Sequence, residues 1–487
     1  MSGEEHGLGE LLAARRAKLE RLRADGIEPF PHEFDGVEPV VGVLAEHAEL
    51  AAGAETEARH RVAGRLSARR DAGKAAFLDL VDRSGRIQLM ARVNELGQEG
   101  FDRLVGLDLG DLIGVDGTAI RTRSGELSLR VTSFELLAKS LRPPPDKHHG
   151  LSDIETRFRR RELDLIANEE TRAVFVARAR IISAVRHALD EAGFIEVETP
   201  VLQPLYGGGH ARPFTTHHNA LDRDLYLRIA TELYLKRAIV GGLERVYELG
   251  KDFRNEGLSP KHNPEFTMVE WYEAYADYED AAVRLEAVVG AAAATVEQPA
   301  LDFAAPWRRI KLSDAIAEHA GVDVLALRER DALAAAVRER GLGLETDGRT
   351  WAGIVDDLLS KYVEPALITP TFLFDYPLEL SPFAKAHRSE AGLVERWEAY
   401  AGGIEIANAF SELNDPDEQR ARFGAQRDAA AAGDEEAQPY DEAFLMALEQ
   451  GMPPTGGVGL GIDRLVMLLL GLGSIREAVL FPAMRDP

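Results

Sequence analysis

The chain has 487 residues, 45% hydrophobic and 29% charged, an ordinary profile for a protein too long for one core, so two or three domains are expected. A formal net charge of −25 opposes indiscriminate nucleic-acid binding, and the absence of cysteine excludes disulfides, thiolate zinc sites and cysteine nucleophiles. With no apolar run of about eighteen residues and no apolar signal core at the N-terminus, the expected location is the cytoplasm, with no membrane partner.

Residues 8–25 carry Leu8, Leu11, Leu12, Leu19 and Leu22 among charges, a helical pattern that ends at Asp25-Gly26. From 60 to 138, short alternating runs recur between turn signals at 82–85 and 123–125. Five strands with a helix near 96–106 predict an OB-type β-barrel over 59–138, preceded by a helical extension at 1–58. Such barrels stack bases on aromatic rings beside a basic groove; Phe77 suits stacking and Gln88 base-edge hydrogen bonding, with Arg69 and Glu126 nearby. Arg59, Arg61, Arg65, Arg69, Arg70 and Lys74 form one basic cluster and RFRRR at 157–161 a second, each as compatible with a solvated face as with a nucleic-acid patch. The proline-rich stretch at 139–150 opens a linker over 139–165, and the tandem His148-His149 does not suit a metal.

In the remainder, 166–487, Ile181, Val185 and Leu189 form a helical stripe that stops at Gly193 and gives way to a strand ending at Pro200. A glycine-rich loop at 206–214, containing Gly208 and Gly209-His210, permits close backbone approach to a ligand. Glu232 follows on a short segment after the Arg228 strand. Residues 244–278 read as a hairpin with strands from Arg245 and from Phe266 to Tyr272, presenting Arg254, Glu256, His262, Asn263, Glu270 and Tyr272 on one polar face. There Arg254 is placed to clamp a phosphate, Phe266 to lie against a base and Glu270 to meet a cation.

Alanine-rich helical segments fill 281–300 and 312–362. Strand character returns at 370–385 and 397–415, where Glu398, Glu405 and Glu412 are spaced by seven. Period-two geometry puts Glu405 on one face and Asn408, Phe410 and Glu412 on the other unless a bulge intervenes. After an acidic turn at 429–438, GGVGLGIDRLVMLLLG at 456–471 runs from a glycine strand into a buried helix. In it Gly459 and Gly461 let the backbone lie under an adenine, and Arg464 points toward a terminal phosphate. Arginines and carboxylates without a nucleophile or a Walker loop indicate phosphoryl-group chemistry by positioning and charge stabilisation.

Arg254-Asn-Glu-Gly257, the His262 to Thr267 run HNPEFT and the AYADY run at 274–278 resemble the second signature motif of class II lysyl-tRNA synthetases of the bacterial type. The likeness extends from about residue 60 to the C-terminus; the 181–200 segment resembles the first motif and 456–471 the third. The resemblance implies an α+β fold: an OB-type barrel, then a class II catalytic domain on an antiparallel β-sheet with flanking helices and a helical insertion at about 281–362. It implies ATP binding by Arg254, Glu256, His262, Asn263, Phe266, Glu405, Gly461 and Arg464, with Arg254 and Arg464 the catalytic arginines. Lysine falls to Gly208, Glu232, Glu270, Tyr272, Asn408, Phe410 and Glu412. About two to three Mg²⁺ ions per site fall to Glu398 and Glu405, and the anticodon to Arg69, Phe77, Gln88 and Glu126.

The implied partners are tRNA(Lys), L-lysine, ATP and a second copy, the homodimer forming through the first-motif helix and strand. Helix 8–25 is either a docking helix or a tRNA-contacting arm through Arg15, Arg16, Lys18, Arg21 and Arg23. The lysine ammonium is expected against Glu412, where an uncharged competitor would strand a buried carboxylate at a cost of about 3–5 kcal/mol. A catalytically silent RNA-binding paralogue and a lysine ligase acting on a translation factor are the alternative readings.

Overall fold

The computed structural model describes residues 3–145, 151–209, 211–381, 383–431 and 439–486, so His148-His149, His210 and most of the acidic turn lie outside the described residues. The chain divides into two compact units, residues 1–172 and 173–487.

The first unit is a closed barrel of β1 (Glu55–Ala72), β2 (Ala75–Val81), β3 (Arg86–Arg92), β4 (Leu112–Arg121) and β5 (Leu127–Ala138), in the order β1-β2-β3-β5-β4. Alternate residues point inward, so Val62, Leu78, Leu80, Ile87, Leu89, Val115 and Leu129 fill the core. Two boundaries differ from expectation. Val40 and Val43 belong to that core, and Arg15 of helix α1 (Gly3–Ala24) donates to the carbonyls of Leu109 and Ser140 at 2.9 and 3.0 Å, so the described residues before β1 pack on the barrel instead of extending from it. Arg15 is thereby committed to docking.

The described parts of the linker, 139–145 and 151–165, are also built into the fold. Lys139, buried, meets Asp108 and Asp111 at 2.8 and 2.7 Å. Helices α2 (Ile154–Arg159) and α3 (Arg161–Ala167) follow, and Arg157 and Arg161 close on the buried Asp164 at 2.9 and 2.7 Å. RFRRR is therefore largely neutralised internally, since Arg159 and Arg160 pair with Glu155 and Glu162.

The second unit is organised by an eight-stranded sheet. Its strands are β6 (Ile195–Glu196), β7 (Arg245–Phe253), β8 (Glu265–Ala274), β9 (Arg308–Lys311), β10 (Thr371–Pro377), β11 (Leu393–Ala401), β12 (Ile404–Ser411) and β13 (Thr455–Gly461). The spatial order is β9-β10-β11-β12-β13-β8-β7-β6, antiparallel through the middle and parallel at both edges. Helices α4 (Glu169–Glu191), α6 (Tyr278–Ala293) and α7 (Ile462–Leu469) cover one face, packing Val185, Leu285 and Leu465 against Val269, Trp271, Trp397 and Leu460. Helix α5 (Glu232–Val240) follows the glycine loop. Truncating Trp271 to alanine in this core would cost about 3–5 kcal/mol.

Most of helix α6 falls within the predicted insertion, yet it lies in the central core. An alanine-rich helix reads alike in both settings. The separate helical layer is 312–363, whose apolar cluster holds Leu312, Leu333, Trp351 and Leu358. Because Val269 and Trp271 face the helices, Glu270 and Tyr272 face the opposite side, where the site lies.

Candidate active site

Two register rows cross the sheet. Glu398, Asn408, Gly459 and Glu270 stand opposite one another on β11, β12, β13 and β8; one row along stand Arg396, Phe410, Gly457 and Tyr272. The central strand supplies glycine at both rows, and its neighbours supply the chemistry. A Cβ at Gly457 would lie 2.0 Å from Glu412 Oε1 and 2.5 Å from the Tyr272 ring, so the floor has to be bare backbone there.

Glu405 joins this face through a bulge. Ala399 pairs with Ala407 but Tyr400 pairs with Glu405, leaving Ile406 extra on β12. The extra residue turns Glu405 to the same side as Asn408 and Phe410. All of the residues expected to bind ATP, lysine or metal line one cavity of about 350 Å³.

At one end of the cavity the groups are cationic. The Arg254 guanidinium lies 5.1 Å over the Phe266 ring, and its Nε is buried with no hydrogen-bond partner among the described residues. Phe266 thus carries an arginine on one face. Arg464, in the first turn of α7, donates to the Glu405 carbonyl and carboxylate at 2.7 and 3.0 Å and lies 3.2 Å from His262 Nε2. Burial and the Arg464 charge push the His262 imidazole down, keeping it neutral and able to accept from that guanidinium. Glu256 is exposed beside them. Asn263 is already spent: its amide nitrogen donates to the Glu265 carbonyl and its oxygen accepts from Ala483 N at 3.2 Å, so it braces the wall.

The other end is acidic and buried. Glu232 opens α5 beneath Gly208, where φ is +86° and a Cβ would come within 2.8 Å of the Glu232 Cβ. Glu270 accepts from Thr231 N and from the Tyr272 hydroxyl, both at 3.3 Å. Burial, with the charges of Asp252 and Glu232, pushes its carboxyl up to about 8. Glu412 is fully buried, and Lys236 of α5 reaches it at 2.5 Å. The Lys236 ammonium also reaches Glu232 at 2.6 Å, and those two charges outweigh burial and raise its pKa. Glu412 thus has a resident counter-ion, which lowers the penalty expected for an uncharged ligand.

Glu398 Oε2 accepts from the Tyr376 and Tyr400 hydroxyls at 2.7 and 2.5 Å, and Oε1 from Arg396. Arg396 also donates to the Asn408 side chain at 3.1 Å and stacks over Phe410 at 5.6 Å. One lone pair on Glu398 Oε1 and the second oxygen of Glu405 are thus left for another ligand. Two hard oxygen donors of this kind fit a small divalent cation that keeps part of its shell for water and phosphate. Lys236, Arg396 and Gly457 went unnoticed in the sequence; only the spacing of Arg396 two before Glu398, and of Lys236 four after Glu232, hinted at shared faces.

On the barrel, Phe77 and Gln88 point away from the barrel core, opposite Met90 and Asp79 in register, Phe77 half-buried and Gln88 buried. Gln88 accepts from Ser128 Oγ at 3.0 Å, and Glu126 lies 3.6 Å from Arg86. Arg69 departs from expectation. It pairs with Leu78, and its guanidinium donates to the carbonyls of Val105 and Leu107, the latter at 2.9 Å; Arg70 stands opposite Phe77 instead.

A bare-backbone strand with arginine at one end of its cavity and carboxylates at the other, on an antiparallel sheet, is the build of a class II tRNA synthetase, and the family model for class II tRNA synthetases (D, K and N) matches residues 153–485. A model of the OB-fold nucleic acid binding domain matches residues 60–137. A lysine–tRNA ligase of Roseiflexus castenholzii is 53% identical over 98% of this chain and 99% of its own length. One from Pelotomaculum thermopropionicum is 49% identical over 99% and 96%, and one from Chloroflexus aurantiacus 50% over 98% and 99%. The chain belongs to the lysine–tRNA ligase family.

Proposed function

We propose that the chain joins lysine to tRNA(Lys) in two steps within this cavity, first activating lysine with ATP and then passing it to the 3′ end of the tRNA. The observation that carries the reading is the polarity of the cavity: two arginines toward one end, three buried carboxylates toward the other. In the first step the lysine carboxylate attacks the α-phosphorus in line, forming lysyl-adenylate and releasing pyrophosphate. Arg254 takes the charge developing at that phosphorus, its orphaned Nε serving the phosphate or the carboxylate. Arg464 swings from Glu405 to the departing pyrophosphate. Phe266 offers its free ring face to the adenine, and Gly461 keeps the backbone low beside it.

Glu398 and Glu405 would hold Mg²⁺, which when bound neutralises phosphate charge. Glu405 would do so through the oxygen that Arg464 leaves free. At the acidic end Glu232, under Gly208, accepts from the lysine α-ammonium, and Glu412 with Tyr272 accepts the side-chain ammonium. Asn408 and Phe410, held by Arg396, line the aliphatic stem, and Glu270 neighbours the α-ammonium. Phe77, Gln88 and Glu126 read anticodon bases on the barrel, with Arg70 in the place first given to Arg69.

Pairing of two copies is assigned to the first-motif region, where Val176, Ile195, Val201, Leu202 and Leu205 are exposed and β6 ends the sheet. A tRNA-charging activity supports a cytoplasmic location. Lysine-dependent ATP–pyrophosphate exchange and charging of tRNA with each amino acid test the reading. Glu412→Gln is expected to reduce lysine kcat/KM about 10- to 100-fold, the loss of about 1.5–3 kcal/mol from a charged hydrogen bond, while ATP binding holds. Unchanged lysine dependence would remove Glu412 from the pocket.

A further inference from the structure

Lys236 has no part in the reading above, yet it is the most enclosed cation in the acidic end. Its ammonium is fully buried, 2.6 Å from Glu232 Oε1, 2.5 Å from Glu412 Oε2 and 5.6 Å from the Phe383 ring centroid. Each carboxylate is thereby divided between two directions. Glu412 Oε1 has no hydrogen-bond partner among the described residues and points at the floor, 2.0 Å from where a Gly457 Cβ would stand. Glu232 Oε2 lies 3.4 Å from the corresponding point at Gly208, on the glycine loop. The inner oxygen of each acid meets Lys236 and the outer one faces the cavity.

We infer that Lys236 is a positioning residue for substrate selection, tying one oxygen of Glu232 and one of Glu412 so that each turns its other oxygen to a ligand carrying two ammonium groups. This rests on the assignment of the acidic end to lysine. The charge count explains the need. Glu232, Glu412 and Glu270 crowd one buried volume, with Tyr272 between Glu270 and Glu412, and Lys236 is the only cation in direct contact with any of the three among the described residues. Burial holds the Glu412 carboxyl up at about 8 against the opposing pull of Lys236. Without that ammonium it would rise further, and a protonated carboxyl no longer attracts an ammonium.

The test is Lys236→Met beside Lys236→Gln, the latter keeping a donor between the acids so that a folding failure of the first does not end the experiment. Lysine and ATP KM, kcat and the pH profile of pyrophosphate exchange are measured on the full chain. The expected result is a lysine KM raised at least 30-fold at pH 7, an ATP KM within threefold, and an acid limb of kcat/KM for lysine displaced upward by at least one pH unit. Lys236→Arg, which restores the charge, should recover the wild-type limb. A folded, ATP-binding Lys236→Gln protein with the wild-type lysine KM and pH profile overturns the inference; so does a loss confined to kcat and thermal stability. A wild-type chain showing no lysine-dependent exchange would instead overturn the lysine assignment.

Discussion

Gly457→Ala is the most direct challenge to the placement of the substrate. The backbone there has an ordinary φ, so the change introduces no torsional strain, only a methyl group. That methyl would lie 2.0 Å from Glu412 Oε1 and 2.5 Å from the Tyr272 ring, about 1.5 Å and 1 Å short of ordinary contact. Both groups are walled in: Glu412 is tied to Lys236, and Tyr272 is buried against Glu270. Relief must therefore come from displacing the pair that faces the ammonium, by something near an ångström. A displacement of that size costs about 100-fold in kcat/KM for lysine, equivalent to about 2.7 kcal/mol. Gly459→Ala is the control, because its methyl would meet chiefly the mobile Met268 tip at 2.5 Å, which can move away. The assay is ATP–pyrophosphate exchange with lysine and ATP varied separately, alongside thermal unfolding. The reasoning is refuted if Gly457→Ala folds and retains lysine kcat/KM within threefold, or if ATP KM rises as much as lysine KM.

Three further outcomes are expected. Glu405→Gln should raise the Mg²⁺ concentration for half-maximal exchange at least tenfold, because it removes an anionic donor; an unchanged magnesium titration would exclude Glu405 from the metal. Burial pushes the Glu270 carboxyl up to about 8, and an incoming ammonium favours its ionised form. Lysine binding should therefore release a proton below that pH, and lysine KM should fall as pH rises from 6 toward 8; calorimetry in buffers of different ionisation heat reads the proton, and Glu270→Gln should reduce it, leaving the share of Glu412, whose carboxyl is raised to about 8 as well. Phe77→Ala should lower the kcat/KM for tRNA charging by about tenfold, within the about 1–3 kcal/mol of one base stack, and leave pyrophosphate exchange intact. A matching loss in exchange would mean Phe77 serves the fold.

The parts of this molecule that could be read in advance are those where a local pattern decides the geometry. Alternation along 265–274 puts Trp271 in the core and Glu270 in the cavity without any knowledge of the neighbours. Arg69 shows how that logic fails: the irregularity between Leu66 and Ala68 shifts β1 by a residue and exchanges it with Arg70. Arg157 and Arg161 looked like a basic patch because Asp164, which absorbs them, is one acid among many in the sequence. Lys236 was hidden for the same reason in reverse. Four residues after Glu232 it resembles an ordinary helix-surface pair, and its burial depends on Glu412 arriving from a distant strand.

The bulge at Ile406, more than the identity of the residues around it, keeps Glu405 beside Asn408. Pairing 404–411 in unbroken register at its present length would carry Glu405 to the helix-covered side, though every side chain around it were retained, whereas removing Ile406 itself would leave Glu405 facing the cavity. A library that varies this strand for altered specificity should accordingly preserve the bulge, and a variant that irons it out would lose its metal-facing acid while preserving the motif letters.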